Sequence, residues 1–262
     1  MSNSALQVAR TGLDAQNTKM RVIANNLANV NTTGFKRDRA DFETLAYQNV
    51  VTPGAPSDAQ NRFASGLQLG TGVKLSGVGK ISTQGTLQNS ENALDMAIEG
   101  GGFFQVERPD GSTGYSRAGN FSLTAEGNLV TSDGLPLIPA IQVPQGATAL
   151  TIGNNGTVTA TLAGQNEPSE LGQIELANFT NPAGLLSVGN NILTETAASG
   201  PPQVGEAGTE GLGNIRQGAL EQSNVNIVEE LVNMIETQRA YEVNSKMISA
   251  TDEMLQFVNQ QI

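Results

Sequence analysis

Residues 223–262 read SNVNIVEELVNMIETQRAYEVNSKMISATDEMLQFVNQQI, forty residues without a glycine or a proline. Ile227, Met234, Tyr241, Ile248, Leu255 and Ile262 recur every seven residues. Three or four residues on from each lie Leu231, Gln238, Asn244 or Ser245, Thr251 and Val258. This heptad stripe, apolar at its main positions and mixed at its second, predicts one long helix. Over 227–261 it would run roughly 50 Å at about 1.5 Å per residue. A helix of that length cannot bury its stripe alone and needs a partner.

A second stripe opens the chain. Leu6, Leu13, Met20 and Leu27 recur every seven residues, with Ala9, Gln16, Ile23 and Val30 between them. Ser4 and Gln7 have capping-box spacing. Gly12 weakens this helix and marks a close contact or a bend. Asparagines at 25, 26, 29 and 31 crowd its end, and Gly34 suits a left-handed position after it, so the helix is expected to stop near residue 31. Residues 1–40 hold six basic and two acidic side chains, whereas 221–262 hold two basic and seven acidic ones. Matching heptads and opposite charge predict that the two terminal helices pair as a coiled coil. The assembly residues are then Leu6, Leu13, Met20, Ile23, Leu27 and Val30 on the first helix. On the second they are Ile227, Leu231, Met234, Tyr241, Ile248, Leu255 and Val258. The polar second-stripe positions imply that further neighbours complete the burial.

Between the helices the pattern is β. The charged segment 35–47 can be helical or extended, and 48–65 is a polar loop or long hairpin punctuated by Pro53, Gly54 and Pro56. Apolar alternation resumes over 66–85. From Gly100 to Thr196 short strands alternate with turns such as Pro109-Asp110-Gly111 and Ser132-Asp133-Gly134. Residues 197–213 read as a Gly/Pro-rich linker. The expected fold is α+β: long N- and C-terminal helices paired as a coiled coil, with an inserted all-β body. The expected domains are a terminal helical one (1–34 with 222–262), a connecting region (35–95 with 197–221, carrying the 48–65 insertion), and a β-rich outer one (96–196).

The composition excludes much chemistry. There is no cysteine and no histidine among 262 residues. Thiol nucleophiles, thiolate metal sites and the commonest general base are therefore absent. A net charge of −11 argues against nucleic acid as a partner. No apolar run approaches a membrane span, and no cleavable signal peptide is expected. Gly77-Val78-Gly79-Lys80 lacks the Ser or Thr and the upstream glycine of a phosphate loop. Gly100-Gly101-Gly102 precedes a strand rather than a helix. Asp95 and Glu99 would share a helix face, but nothing places them across a cleft as a glycosidase needs. No cofactor is expected, and an enzyme is the weaker reading beside a self-assembling structural protein. A secreted β-rich binding module on a helical stalk is a third reading.

Two terminal motifs then carry a resemblance. The stretch Ala24–Lys36, ANNLANVNTTGFK, resembles the N-terminal signature of bacterial flagellar rod and hook proteins, and Ser223–Asn226 through Gln238–Glu242 resembles their C-terminal one. Asp95–Phe104 and Tyr115–Phe121 are similar to the family's inner β motifs. The family-motif residues are Asn26, Leu27, Asn29, Thr32, Gly34 and Phe35. Length and the 48–65 insertion resemble the distal-rod members most, with another rod or hook subunit as the alternative. The resemblance implies a non-enzymatic subunit exported by the flagellar type III apparatus without cleavage. It implies a rigid helical tube across the periplasm that transmits torque to the hook and forms part of the export channel. The implied partners are other copies of the chain, proximal rod proteins, the hook protein and the P- and L-ring proteins.

Overall fold

The computed structural model describes residues 2–56, 62–162, 167–209 and 211–260; within these, the side chains of 2–5, 255 and 258–260 are not described. Two compact units form. The first takes residues 1–27, 38–79 and 227–262, and the second takes 28–37 and 80–226.

In the first unit, helix α1 spans Ser2–Ala28 and helix α2 spans Ile227–Gln260. Because α1 already runs from Ser2, Ser4 lies inside it and not at its cap. The helix also stops at Ala28, three residues before the expected end, and turns follow to Gly34. Asn26 is buried and shows why. Its Nδ2 donates to the Asp38 carbonyl at 2.9 Å, while its Oδ1 accepts the Asp38 N–H at 2.9 Å. That amide thus holds the returning chain, which continues as the strand Asp38–Thr44. The segment 35–47 is accordingly extended, and this strand pairs with Val73–Lys80. The insertion is a hairpin: Tyr47–Val51 pairs antiparallel with Leu67–Gly70. Residues 57–61 within it lie outside the described residues.

The second unit is the β body. A seven-stranded sheet has Phe103–Glu107 near its centre, flanked by Thr113–Ser116 and Glu175–Asn178. Strand alternation gives it two apolar faces. Phe104 and Leu176, paired across strands, join Met96, Ile98, Phe121 and Ile215 in the larger core. Phe103 and Ala177, one residue along, join Tyr115 and Phe179 in a smaller one. Aromatic edges close both cores, Phe104 on Phe121 at 5.2 Å and Tyr115 on Phe179 at 4.7 Å. A three-stranded sheet of Ala147–Ile152, Thr157–Leu162 and Ser169–Gln173 adds Ile152 and Val158 to the larger core. Residues 197–213 are not merely a linker. Gln203–Glu206 pairs antiparallel with Glu175–Asn178 and ends the sheet. Its sequence, QVGE, has too little apolar alternation to announce a strand; cross-strand backbone pairing makes it one.

Candidate assembly site

Sequence places the functional surface on the helices. In α2 the face turned inward is not the heptad stripe read above. Glu230, Thr237 and Thr251 are buried and Asn244 is half-buried, seven residues apart and offset from that stripe by three. These polar residues tolerate burial for a specific reason. Thr237 Oγ1 donates to the Asn233 carbonyl at 2.6 Å and Thr251 Oγ1 to the Met247 carbonyl at 2.7 Å, so each hydroxyl is satisfied within its own helix. Asn244 Nδ2 lies only 3.0 Å from where a side chain on Gly12 would begin. Gly12 therefore marks a close approach of the two helices.

The residues expected to form the interface divide accordingly. On α1, Ile23 is buried and Leu6, Leu13, Met20 and Leu27 are half-buried; Val30, just beyond the helix, is half-buried too. On α2, Met234 and Ile248 are half-buried, whereas Ile227, Leu231 and Tyr241 are exposed. The side chains of Leu255 and Val258, like Ile262, lie outside the described residues. A third group belongs to neither position of the heptad stripe. Val228, Val232, Ile235, Val243, Met247, Met254 and Phe257 are all exposed, most at three- or four-residue spacing. Helix α2 thus exposes a run of apolar side chains, interleaved with charged ones such as Glu236, Arg239 and Lys246, while its most buried positions are polar.

The family-motif residues have local work. Thr32 Oγ1 donates to Asn29 Oδ1 at 3.1 Å. Phe35 is buried beneath the Lys80 ammonium, 5.4 Å from its ring centre. Gly34 has φ +69° and donates its N–H to the Glu221 carbonyl at 2.7 Å. Asn224, in the second terminal motif, accepts the Arg37 N–H at 2.7 Å and donates to the Ile81 carbonyl at 2.8 Å.

Within the β body these motifs meet on a buried charge cluster. Glu221 is 1% exposed. Its Oε1 accepts Lys36 Nζ at 2.6 Å and the Gly85 N–H at 2.8 Å, and its Oε2 accepts Arg117 Nε at 2.5 Å. Arg117 directs three of its four other N–H groups to the backbone carbonyls of Ile98, Gly100 and Gly102. Lys36 also reaches the Thr83 carbonyl at 2.8 Å. Burial by itself would raise the Glu221 carboxyl, but the Arg117 charge and the bonds from Arg117 and Lys36 outweigh it and hold the group below the usual carboxylate range. Burial pulls the Lys36 amine below its usual range, and the Glu221 bond and charge offset only part of that. One carboxylate thus joins residues 36, 117 and 221, distant in sequence, in a single knot.

Asp95 and Glu99 do not share a helix face. Met96–Glu99 is a strand rather than a helix. Asp95 is buried, with Oδ2 2.5 Å from Ser90 Oγ and Oδ1 3.0 Å from Asn92 Nδ2, and so anchors a turn. Among the described residues no helix is long and apolar enough to cross a membrane.

Residues 6–36 match the flagella basal body rod protein family, 97–160 the D1 domain of the flagellar hook protein FlgE/F/G, and 216–261 the C-terminal region of the flagellar basal body rod FlgEFG proteins. Together they describe a structural protein of the flagellar rod and hook class. The flagellar basal-body rod protein FlgG of Buchnera aphidicola subsp. Acyrthosiphon pisum is 50% identical over 98% of both chains. That of Agrobacterium fabrum is 48% identical over 98% of this chain and 99% of its own, and that of Bacillus subtilis 36% identical over 94% of each. The chain belongs to the FlgG family of flagellar basal-body rod proteins, structural subunits of the distal rod.

Proposed function

We propose that α1 and α2 pair as a coiled coil that neighbouring copies complete, building a rigid helical tube across the periplasm. The tube carries torque to the hook and forms part of the export channel. Its partners are further copies, the proximal rod proteins, the hook protein, the P- and L-ring proteins and the type III apparatus that exports the chain uncleaved.

The observation that supports this is the exposed apolar side of α2 from Val228 to Phe257. Fully burying one such side chain stabilises by about 1.5–3 kcal/mol. These seven are already partly covered, so burying the rest yields on the order of 10 kcal/mol. Association costs about 4–15 kcal/mol. A single pairwise contact therefore roughly breaks even, and stable assembly needs several neighbours per subunit, as a helical polymer provides.

Val232→Asp together with Ile235→Asp tests it. Both side chains are about half exposed, so the isolated chain should keep its far-UV circular dichroism and its unfolding midpoint. Electron microscopy should find no filaments under conditions where the native chain polymerises, and cells carrying the variant should not swim. Normal filaments from the double variant would sink the reading.

A further inference from the structure

A slot of about 350 Å³ lies in the first unit, walled by Gly12, Ala15 and Gln16 of α1 and by Ala40, Phe42 and Val73, with Lys19 supplying a charge. Among the described residues, Gln16 Oε1 is buried without a hydrogen-bond partner.

We propose that the slot receives the C-terminal end of α2, Met254 and Phe257, from a second copy of the chain. This deepens the self-assembly reading and rests on it. Both side chains are 62% exposed, among the most exposed large apolar residues of the helix. The chain's own α2 cannot supply them. Its Asn244 already faces Gly12, and Phe257 lies thirteen residues further on, about 20 Å along the axis at about 1.5 Å per residue. The slot's helical wall, residues 12–19, extends only about 10 Å from Gly12 on the same measure. Charge favours this end: Val228, Val232 and Ile235 also lie among glutamates, Glu229 and Glu236, but at the helix end whose partial charge is positive. After Lys246 the chain has no basic residue, Asp252 and Glu253 precede the apolar pair, and the helix terminus adds partial negative charge. Lys19 complements all three. Around Val243 and Met247, by contrast, Glu242 and Lys246 offset each other and leave no net charge to attract Lys19.

Disulfide trapping reads the contact cleanly, because the chain has no native cysteine. In the full-length chain, Ala15→Cys combined with Phe257→Cys, oxidised after assembly, should give a ladder of covalent dimers, trimers and longer species on a non-reducing gel. Each single variant should give dimers at most. Filaments visible by electron microscopy without a ladder would overturn the proposal and leave self-assembly standing; a disulfide closed within one chain would also overturn it. Should the native chain form no filaments at all, both readings fall. The second arm is charge exchange. Lys19→Glu should raise the critical concentration for polymerisation about five- to tenfold, and adding Asp252→Lys with Glu253→Lys should restore it. A Lys19→Glu chain that polymerises normally, or one that the exchange does not rescue, refutes the contact.

Discussion

Glu221→Gln lowers the stability of the β body by about 3–5 kcal/mol. The side chain is nearly isosteric, so little packing is lost. What is lost is, among the described residues, the only anion in contact with two buried cations, Lys36 and Arg117, whose side chains are 9% and 6% exposed. Arg117 cannot shed its charge. Lys36 can, since its amine is already pulled below the usual range. Its neutralisation would relieve part of the cost, which keeps the effect from exceeding this range. A typical domain has about 5–15 kcal/mol in all, so the variant sits near the edge of folding at 37 °C. Denaturant unfolding followed by near-ultraviolet circular dichroism measures it, because Tyr115 is a buried aromatic reporter in this unit and there is no tryptophan. A loss below about 1 kcal/mol, the worth of an exposed pair, would mean that water reaches the cluster and the knot is not structural.

Acid acts on the same carboxylate. Its pKa is lower in the folded chain than its ordinary 4.5. The unfolded chain therefore binds the proton first, and the stabilisation is full above pH 4.5 and lost as the pH falls through the folded value. Unfolding free energy measured against pH should decline below that point. Glu221→Gln should flatten the decline, and an equal decline in native and variant chains would assign the acid sensitivity to other carboxylates.

How much of this was legible follows from what each signal reports. Heptad spacing in 223–262 reports local geometry, so the existence and length of α2 could be read directly. It does not report which side faces the chain. The apolar stripe implied that Ile227, Leu231 and Tyr241 turn inward, whereas Glu230, Thr237 and Thr251 do. Apolar residues on several sides of a helix are ambiguous until it is known whether one chain or many must cover them. The β turns were legible because Gly, Pro, Asn and Asp mark them chemically. The strand Gln203–Glu206 was not, because its pairing with Glu175–Asn178 is non-local. The charge cluster was hidden for the same reason. Lys36, Arg117 and Glu221 stand inside or beside quoted motifs, yet nothing in a linear sequence pairs residues 185 apart. A weak signal existed: Arg117 is the last basic residue before a stretch to Ile215 without Lys or Arg. A cation retained where the rest have been excluded invites a search for its anion.

Gly34→Ala should cost about 2–5 kcal/mol, far more than one methyl group on an ordinary surface turn. The backbone there is left-handed, at φ +69°, which an L side chain pays about 1–2 kcal/mol to adopt. A Cβ at that position would also stand 2.6 Å from the Arg117 carbonyl carbon and 2.7 Å from the Ala118 nitrogen. Those atoms are backbone and cannot rotate away, so the two main-chain segments must part, a further cost of about 1–3 kcal/mol. Parting them acts on the cluster as well. Residue 34 donates its N–H to the Glu221 carbonyl, and Arg117, against whose main chain it packs, holds the Glu221 carboxylate. The two losses are therefore coupled. Gly34→Ala combined with Glu221→Gln should destabilise by less than the two single changes added together, because the first already loosens what the second removes. Strict additivity in a double-mutant cycle would show that the glycine serves only its own turn. Sub-additivity would show that the motif NTTGFK exists to bring a lysine and a main chain to one buried carboxylate.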